Sequence, residues 1–391
     1  MQLSAFFRHL TFSAVIAGFV AVLVGYTSSA AIVVQALTVA GLPASQMGGW
    51  LSMLGIAMGI TSIGLSLYYR IPVLTAWSTP GAALLVTSLT GVSINEAIGV
   101  FIFASGLMLL CGITGIFERL ITHIPQAIAS AMLAGILLRF GLDAFVALQE
   151  DTYLFIIMFL SYLLAKRYIA RYAIMLMLII GLITCLLQGS LHEAVQGTTF
   201  AIPEFISPHF SLSSLLGVGL PFFIVTMASQ NTPGIAILQA AGYKPKISSL
   251  ITYIALATLL FTPWGGFSIG IAAITAAICM GKDVHPDPDK RYIGAVCAGF
   301  FYLLAGIFGG SIGMLFSILP SSLIHILAGL ALLGTLANSL QRALIEESKR
   351  DAALVTFLVT ASGASLFSIG SAFWGLIAGV ITYMILQRAR H

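Results

Sequence analysis

Long unbroken apolar runs restrict the fold of this chain more than any other feature. Each is about 20 residues long, the length of a helix that crosses the hydrocarbon layer. None shows the apolar–polar alternation of outer-membrane barrel strands. Only 8% of the 391 residues are charged, and 59% are hydrophobic. A soluble surface needs far more charge, and a disordered chain needs low hydrophobicity. The expected class is an all-α polytopic membrane protein. The net charge of +4 is modest and no basic patch lies beside aromatic residues, so nucleic acid is excluded as a partner. The four cysteines, Cys111, Cys185, Cys279 and Cys297, fall inside apolar runs without CxxC or Cys/His spacing and read as packing residues. The run at 11–36 is too long for a cleavable leader and is taken as the first span.

The pattern predicts fourteen transmembrane segments, two sets of seven. Spans 1–7 are expected at 11–37, 46–68, 72–89, 94–117, 125–141, 152–166 and 171–189. A polar segment, 190–211, connects them to spans 8–14 at 212–241, 247–262, 265–280, 291–316, 320–340, 351–367 and 370–388. Alternating the loops between two sides puts 16 of the 17 Lys and Arg residues on the side of the N-terminus, leaving only Arg139 opposite. Acidic residues split seven to six. Cations on one side and indifferent carboxylates are the positive-inside signature. Both termini are therefore expected in the cytoplasm.

The two halves repeat. Ile98-Gly99 recurs as Ile293-Gly294, and Pro125 as Pro320. Ala134-Gly135 recurs as Ala328-Gly329, Gln35-Ala36 as Gln239-Ala240, and Gly181-Leu182-Ile183-Thr184 as Gly379-Val380-Ile381-Thr382. With seven spans per copy, the second copy enters from the opposite side. That makes residues 1–189 and 212–391 two inverted 7-helix repeats, an architecture of secondary transporters.

Such transporters bind substrate at interrupted helices near the midplane. Spans 3 and 10 are the candidates. In span 3, residues 73–77 favour extended structure. Ser78 or Thr79 is then expected to cap a half-helix with Pro80 at its first position. In span 10, Gly265-Gly266-Phe267-Ser268-Ile269-Gly270 is expected to lead directly into a short helix, so that Gly81-Ala82-Ala83 and Gly270-Ile271-Ala272-Ala273 occupy equivalent places. Two half-helix N-termini there would hold an anion without any Arg or Lys. Span 8 adds Ser229-Gln230-Asn231, deep in an apolar run where amides need partners. Its repeat mate in span 1 contains Tyr26 and Ser28.

These segments resemble the benzoate:proton symporter family of bacterial inner membranes. The resemblance is carried by 25–36 (GYTSSAAIVVQA), 73–85 (VLTAWSTPGAALL), 96–102 (EAIGVFI), 132–142 (MLAGILLRFGL), 225–237 (VTMASQNTPGIAI), 267–279 (FSIGIAAITAAIC) and 370–379 (GSAFWGLIAG). More distantly, that family is similar to the nucleobase–ascorbate transporters. The resemblance implies their fold, with a core domain of spans 1–4 and 8–11 and a gate domain of spans 5–7 and 12–14. It also implies a homodimer through the gate domain, although exposed apolar surface here faces lipid by default. The implied activity is proton-coupled import of an aromatic carboxylate by alternating access.

The site follows from both lines. The carboxylate is expected at Ser78, Thr79, Ser268, Ile269 and Gly270, with the ring against Phe267, Tyr26 and Trp77. Ser229, Gln230 and Asn231 are expected to donate hydrogen bonds, with Ser28 beside them. Proton-coupled nucleobase carriers place carboxylates on spans 8 and 10; the matching stretches here have none. That suits an anion, which a carboxylate would repel, and leaves the substrate's own carboxylate to take the proton. Arg139 and Asp143, spaced i, i+4, read as a structural ion pair, and His325 in span 12 as a packing residue. A same-fold carrier of another anion or a nucleobase is the alternative, and an anion channel the more remote one. No H-E-x-x-H, G-x-S-x-G or metal-ligand cluster lies in a span, so neither an enzyme nor a cofactor or metal is expected.

Overall fold

The computed structural model describes residues 10–116, 125–191, 200–281, 284–364, 366 and 371–388. Of the charges used for sidedness, Arg8, Glu118, Arg119, Lys282, Asp283, Glu193 and Arg390 lie outside these residues. The chain opens with α1 (Phe12–Val39) and α2 (Ala44–Tyr69), a strand β1 (Thr75–Trp77) and a short helix α3 (Thr79–Ser88). Then come α4 (Ile94–Thr114), α5 (Gln126–Glu150), α6 (Thr152–Tyr168) and α7 (Ala173–Gln188). The same order begins again. A long helix, α8, runs through Leu212–Ser214, a π turn at Leu215–Gly219, Leu220–Thr226, a second π turn at Met227–Asn231, and Thr232–Ala240. It is followed by α9 (Ile247–Phe261), a strand β2 (Ile269–Ile271) and a short helix α10 (Ile274–Cys279). The rest is α11 (Tyr292–Ile307), α12 (Gly309–Ile318), α13 (Ser321–Leu344), α14 (Arg350–Ala361) and α15 (Ser371–Arg388).

Local chemistry accounts for the irregularities. Each π turn ends two residues before a proline, Pro221 or Pro233, whose missing N–H leaves a carbonyl one turn back without its ordinary donor. At the second, the Thr232 hydroxyl donates to the Met227 carbonyl at 2.8 Å. In α1, Thr27 donates to the Leu23 carbonyl and Ser29 to the Gly25 carbonyl, and the helix bends by 43° between Thr27 and Ser29. Hydroxyls bonded back to the preceding turn commonly bend helices in this way.

Seven helices among the described residues are long and apolar enough to cross a membrane, or eight if bent α1 is one span. They include α2, α4, α5, the length of α8, and α13. The fourteen-span expectation is thus not carried by helix length alone. The remaining expected spans are short helices (α6, α7, α14, α15) or the strand-plus-helix units. Expected span 5 runs on past Gly141 to Glu150, and expected span 11 breaks at Phe308 into α11 and α12. Arg139 and Asp143 form no ion pair among the described residues. Arg139 is exposed and its guanidinium lies toward Gly363 instead. An exposed pair of this kind gains little over separate hydration.

Packing falls into two groups. In one, α2 packs along α11 and α12, α4 along α9, and α1 along α3, α10 and α11. In the other, α5 packs along α13 and α14, α14 along α15, and α6 along α7. Glycines set several separations. A Cβ on Gly55 would lie 2.6 Å from the Gly306 backbone, so α2 and α11 touch backbone to backbone there. On α15, Gly375 and Gly379 receive Thr360 and Thr356 of α14. The loops meet in two sets. Thr11 bonds the Val284 carbonyl, Tyr243 the Pro288 carbonyl, and Tyr69 pairs with Ser249. Separately, Gln46 bonds Glu204, Asn95 bonds the Ser207 carbonyl, and the Ile206 N–H bonds the Pro263 carbonyl. Each set contains only loops that the sequence assigns to one side.

Candidate functional site

The two strands form the centre of the site. Strand β1 pairs antiparallel with β2, with Thr75 opposite Ile271, Ala76 opposite Gly270 and Trp77 opposite Ile269. Strand β2 is buried, β1 is buried except for half-buried Ala76, and each leads toward a short helix. The Ala272 N–H extends the pairing to the Leu74 carbonyl at 2.8 Å, and the Ser78 N–H to the Ser268 carbonyl at 2.7 Å. The chain before β1 is anchored by hydroxyls of α2. Thr61 and Ser62 bond the Thr75 hydroxyl at 2.6 and 2.8 Å, and Ser66 donates to the Val73 carbonyl.

Ser78 caps α3 and accepts from the Gly81 N–H at 3.0 Å, with Thr79 first and Pro80 second in the helix. The cap is therefore as expected, one residue earlier relative to Pro80. Span 10 differs. Ile269 and Gly270 belong to β2, and α10 starts at Ile274 with no side-chain cap. The expected equivalence of Gly81 and Gly270 is corrected accordingly: Gly270 lies opposite Ala76. Ile269 and Ile271, β-branched and buried, favour strand when a partner edge is present. Ser268 enters β2 at φ 61°, a left-handed conformation strained for a non-glycine residue. Its carbonyl and hydroxyl both accept from the Ser78 N–H.

The free edge of β2 is bonded by α8 rather than by a third strand. Asn231 Oδ1, fully buried, accepts from the Ile271 N–H at 2.9 Å. Gln230 Nε2 donates to the Ile271 carbonyl at 3.3 Å. Both amides are thus committed to backbone here, and Asn231 Nδ2 faces the Met108 and Met227 sulfurs. A Cβ on Gly270 would lie 2.8 Å from the Gln230 side chain, so glycine permits this approach. Ser229 and Thr79 are half-buried.

The aromatic residues separate into two clusters. Tyr26 meets Trp77 edge-on at 4.7 Å and lies 6.1 Å from Tyr302. Trp77 Nε1 donates to the Ser29 hydroxyl at 2.7 Å. Phe267 lies elsewhere, stacked on Phe101 at 4.4 Å and edge-on to Trp50. It is a core residue, separated from the Tyr26–Trp77 pair expected to share its role. Ser28 belongs to α1, but its side chain is outside the described set. Tyr302 and Ser29 were not among the expected site residues. A single tyrosine deep in an apolar run was the available signal. A small pocket adjoins Ser268 and Thr226 from the α4 and α9 side, lined also by Ser105, Met108 and Phe222. None of these site residues is ionisable at neutral pH.

The two-strand crossover with paired short helices belongs to a fold already seen in solved membrane proteins. The chain matches the structure of murine solute carrier 26 family member A9, an anion transporter solved in the inward-facing state, with a TM-score of 0.62. The match covers 99% of this chain and 70% of that one at 12% identity. It also matches the transmembrane domain of a cyanobacterial bicarbonate transporter, BicA, with a TM-score of 0.59 over 96% of this chain and 98% of that one, at 12% identity. At such identities the likeness is one of fold.

Sequence narrows the class. Residues 8–385 match the family described as benzoate membrane transport protein, and the chain belongs to that family. Its members are membrane transporters, not enzymes. The inner membrane protein YdcO of Escherichia coli (strain K12) is 54% identical over 372 residues, 95% of each chain. The benzoate membrane transport protein of Acinetobacter baylyi is 42% identical over 378 residues, 97% of this chain and 96% of that one.

Proposed function

We propose that the protein is a secondary active transporter that imports benzoate or a close aromatic carboxylate together with protons by alternating access. The observation that carries this reading is the β1–β2 crossover. It presents short helices, hydroxyls and aromatic rings, with no ionised group among the named site residues. Helix α3 turns the positive end of its dipole toward that crossover, and Ser78, Thr79 and Ser268 surround its start. Substrate lies there with its ring beside Tyr26 and Trp77, and Gln230 and Ser229 at its edge. The proton neutralises the substrate carboxylate, since the aligned positions on α8 and β2 carry no acid.

The repeated element order and antiparallel strands support two inverted seven-span repeats, residues 1–189 and 212–391. The two packing groups support a core of spans 1–4 and 8–11 moving against a gate of spans 5–7 and 12–14. The segregated loops and their cations support an inner-membrane location with both termini cytoplasmic. A homodimer through the gate belongs to the same reading.

Gln230→Ala and Ser268→Ala test the site. Each removes a weak bond of 3.3 Å. Each is expected to weaken benzoate binding about three- to tenfold, the worth of one hydrogen bond, with expression and melting temperature near wild type. Loss of folding in step with binding would count against a role in substrate contact. The names of the two matched structures favour a second reading, a carrier of another anion such as bicarbonate. Competition by bicarbonate but not by benzoate would select it.

A further inference from the structure

Four buried side-chain polar atoms among the described residues lack a hydrogen-bond partner: Tyr26 Oη, Gln35 Oε1, Trp50 Nε1 and Thr360 Oγ1. Tight packing explains two of them. Thr360 is wedged against Gly135 and Gly375, and Trp50 against Gly265. Tyr26 is different. Its ring lies against Trp77, the residue that leads into the Ser78 cap of α3. Its other neighbour is Tyr302, whose hydroxyl lies over the same point of Gly25 as Thr275, in the first turn of α10. Gly25, next to Tyr26, admits this approach, because its Cβ position is 3.2 Å from the Tyr302 hydroxyl and 3.5 Å from Thr275. The unmet hydroxyl therefore lies where the two short helices begin, in a ring-lined place without Lys or Arg.

A phenol is a strong donor toward a carboxylate, and an orphaned buried donor weakens the fold until something meets it. We propose that the Tyr26 hydroxyl is the group that hydrogen-bonds the substrate carboxylate, with Tyr302 and Thr275 holding its ring in place. In the ligand-free protein the hydroxyl is unsatisfied; substrate satisfies it. Stability is thereby traded for affinity at this one atom. The inference rests on the proposed transport of an aromatic carboxylate.

Tyr26→Phe removes only the hydroxyl. Purified wild-type and variant protein are titrated with benzoate, reading melting temperature and Kd. The expected result is a ligand-free variant at least as stable as wild type, with Kd raised about tenfold or more, the loss of one charge-assisted bond. A variant that keeps the wild-type Kd overturns the role of Tyr26 while leaving the transporter reading intact. A variant whose ligand-free melting temperature falls along with its affinity overturns it too, by showing a packing role. A wild type with no response to benzoate overturns the functional reading, and this inference with it.

Discussion

Gly306→Leu is expected to yield little or no monodisperse protein. A Cβ at Gly306 would lie 2.8 Å from the Ser52 carbonyl and the Ile56 nitrogen and 3.1 Å from the Gly55 carbonyl carbon. All three are backbone atoms, so no rotamer change relieves the contact. The α2–α11 pair must separate, and α2 carries Thr61, Ser62 and Ser66, which hold the approach to β1. Overpacking ordinarily costs about 1–3 kcal/mol, and a backbone contact lies at or beyond the upper end. Gly64→Ala on the same α2 is the control. Nothing lies within 4 Å of its Cβ position, and alanine favours helix. Size-exclusion profiles and melting curves should collapse for the first variant and match wild type for the second. A well-folded Gly306→Leu protein would refute the close packing of α2 on α11.

Asn231→Leu carries the second large effect. It strips the acceptor from the Ile271 N–H, fully buried and distant from water. An orphaned buried donor costs about 1–3 kcal/mol, and among the described residues no third strand takes the bond. The free edge of β2 then loses its better-placed partner, leaving only the 3.3 Å bond from Gln230. We expect a clearly lowered melting temperature and benzoate binding reduced at least tenfold. Ser229→Leu, two positions away and without a bond to β2 among the described residues, should leave the melting temperature close to wild type. Equal stability in wild type and Asn231→Leu would mean that α8 does not hold the strand.

Much of this arrangement is legible in the sequence. Hydrophobic runs locate α1, α2, α4 and α8 because each must satisfy its own backbone in lipid. The Ser78 cap and the extended stretch before it are local signals, set by a hydroxyl, a proline and β-branched neighbours. The span 10 geometry was not legible. Whether Ile269-Gly270-Ile271 is strand or helix start depends on an edge supplied by residues 75–77, nearly two hundred positions away. The same distance hides the tasks of Gln230 and Asn231. Sequence shows that buried amides need partners, but not that both face the one backbone unit at Ile271. Phe267 and Tyr26 look alike as aromatic candidates, yet pairing register sends one into the Trp50–Phe101 cluster and leaves the other beside Trp77. The short helices after β1 and β2 also explain why span counting by length stops at seven or eight.

The central claim is that this crossover carries an aromatic carboxylate across the membrane together with protons. Its most direct test is uptake of labelled benzoate by liposomes containing the purified protein, with the outer pH below the inner but well above the carboxylate range, so that the substrate outside is an anion. Protein-free liposomes give the passive background. The account predicts accumulation above that background, driven by the inward proton gradient, abolished when the gradient is collapsed and weakened in Tyr26→Phe. Uptake equal to the protein-free background, or uptake indifferent to the proton gradient, would contradict it.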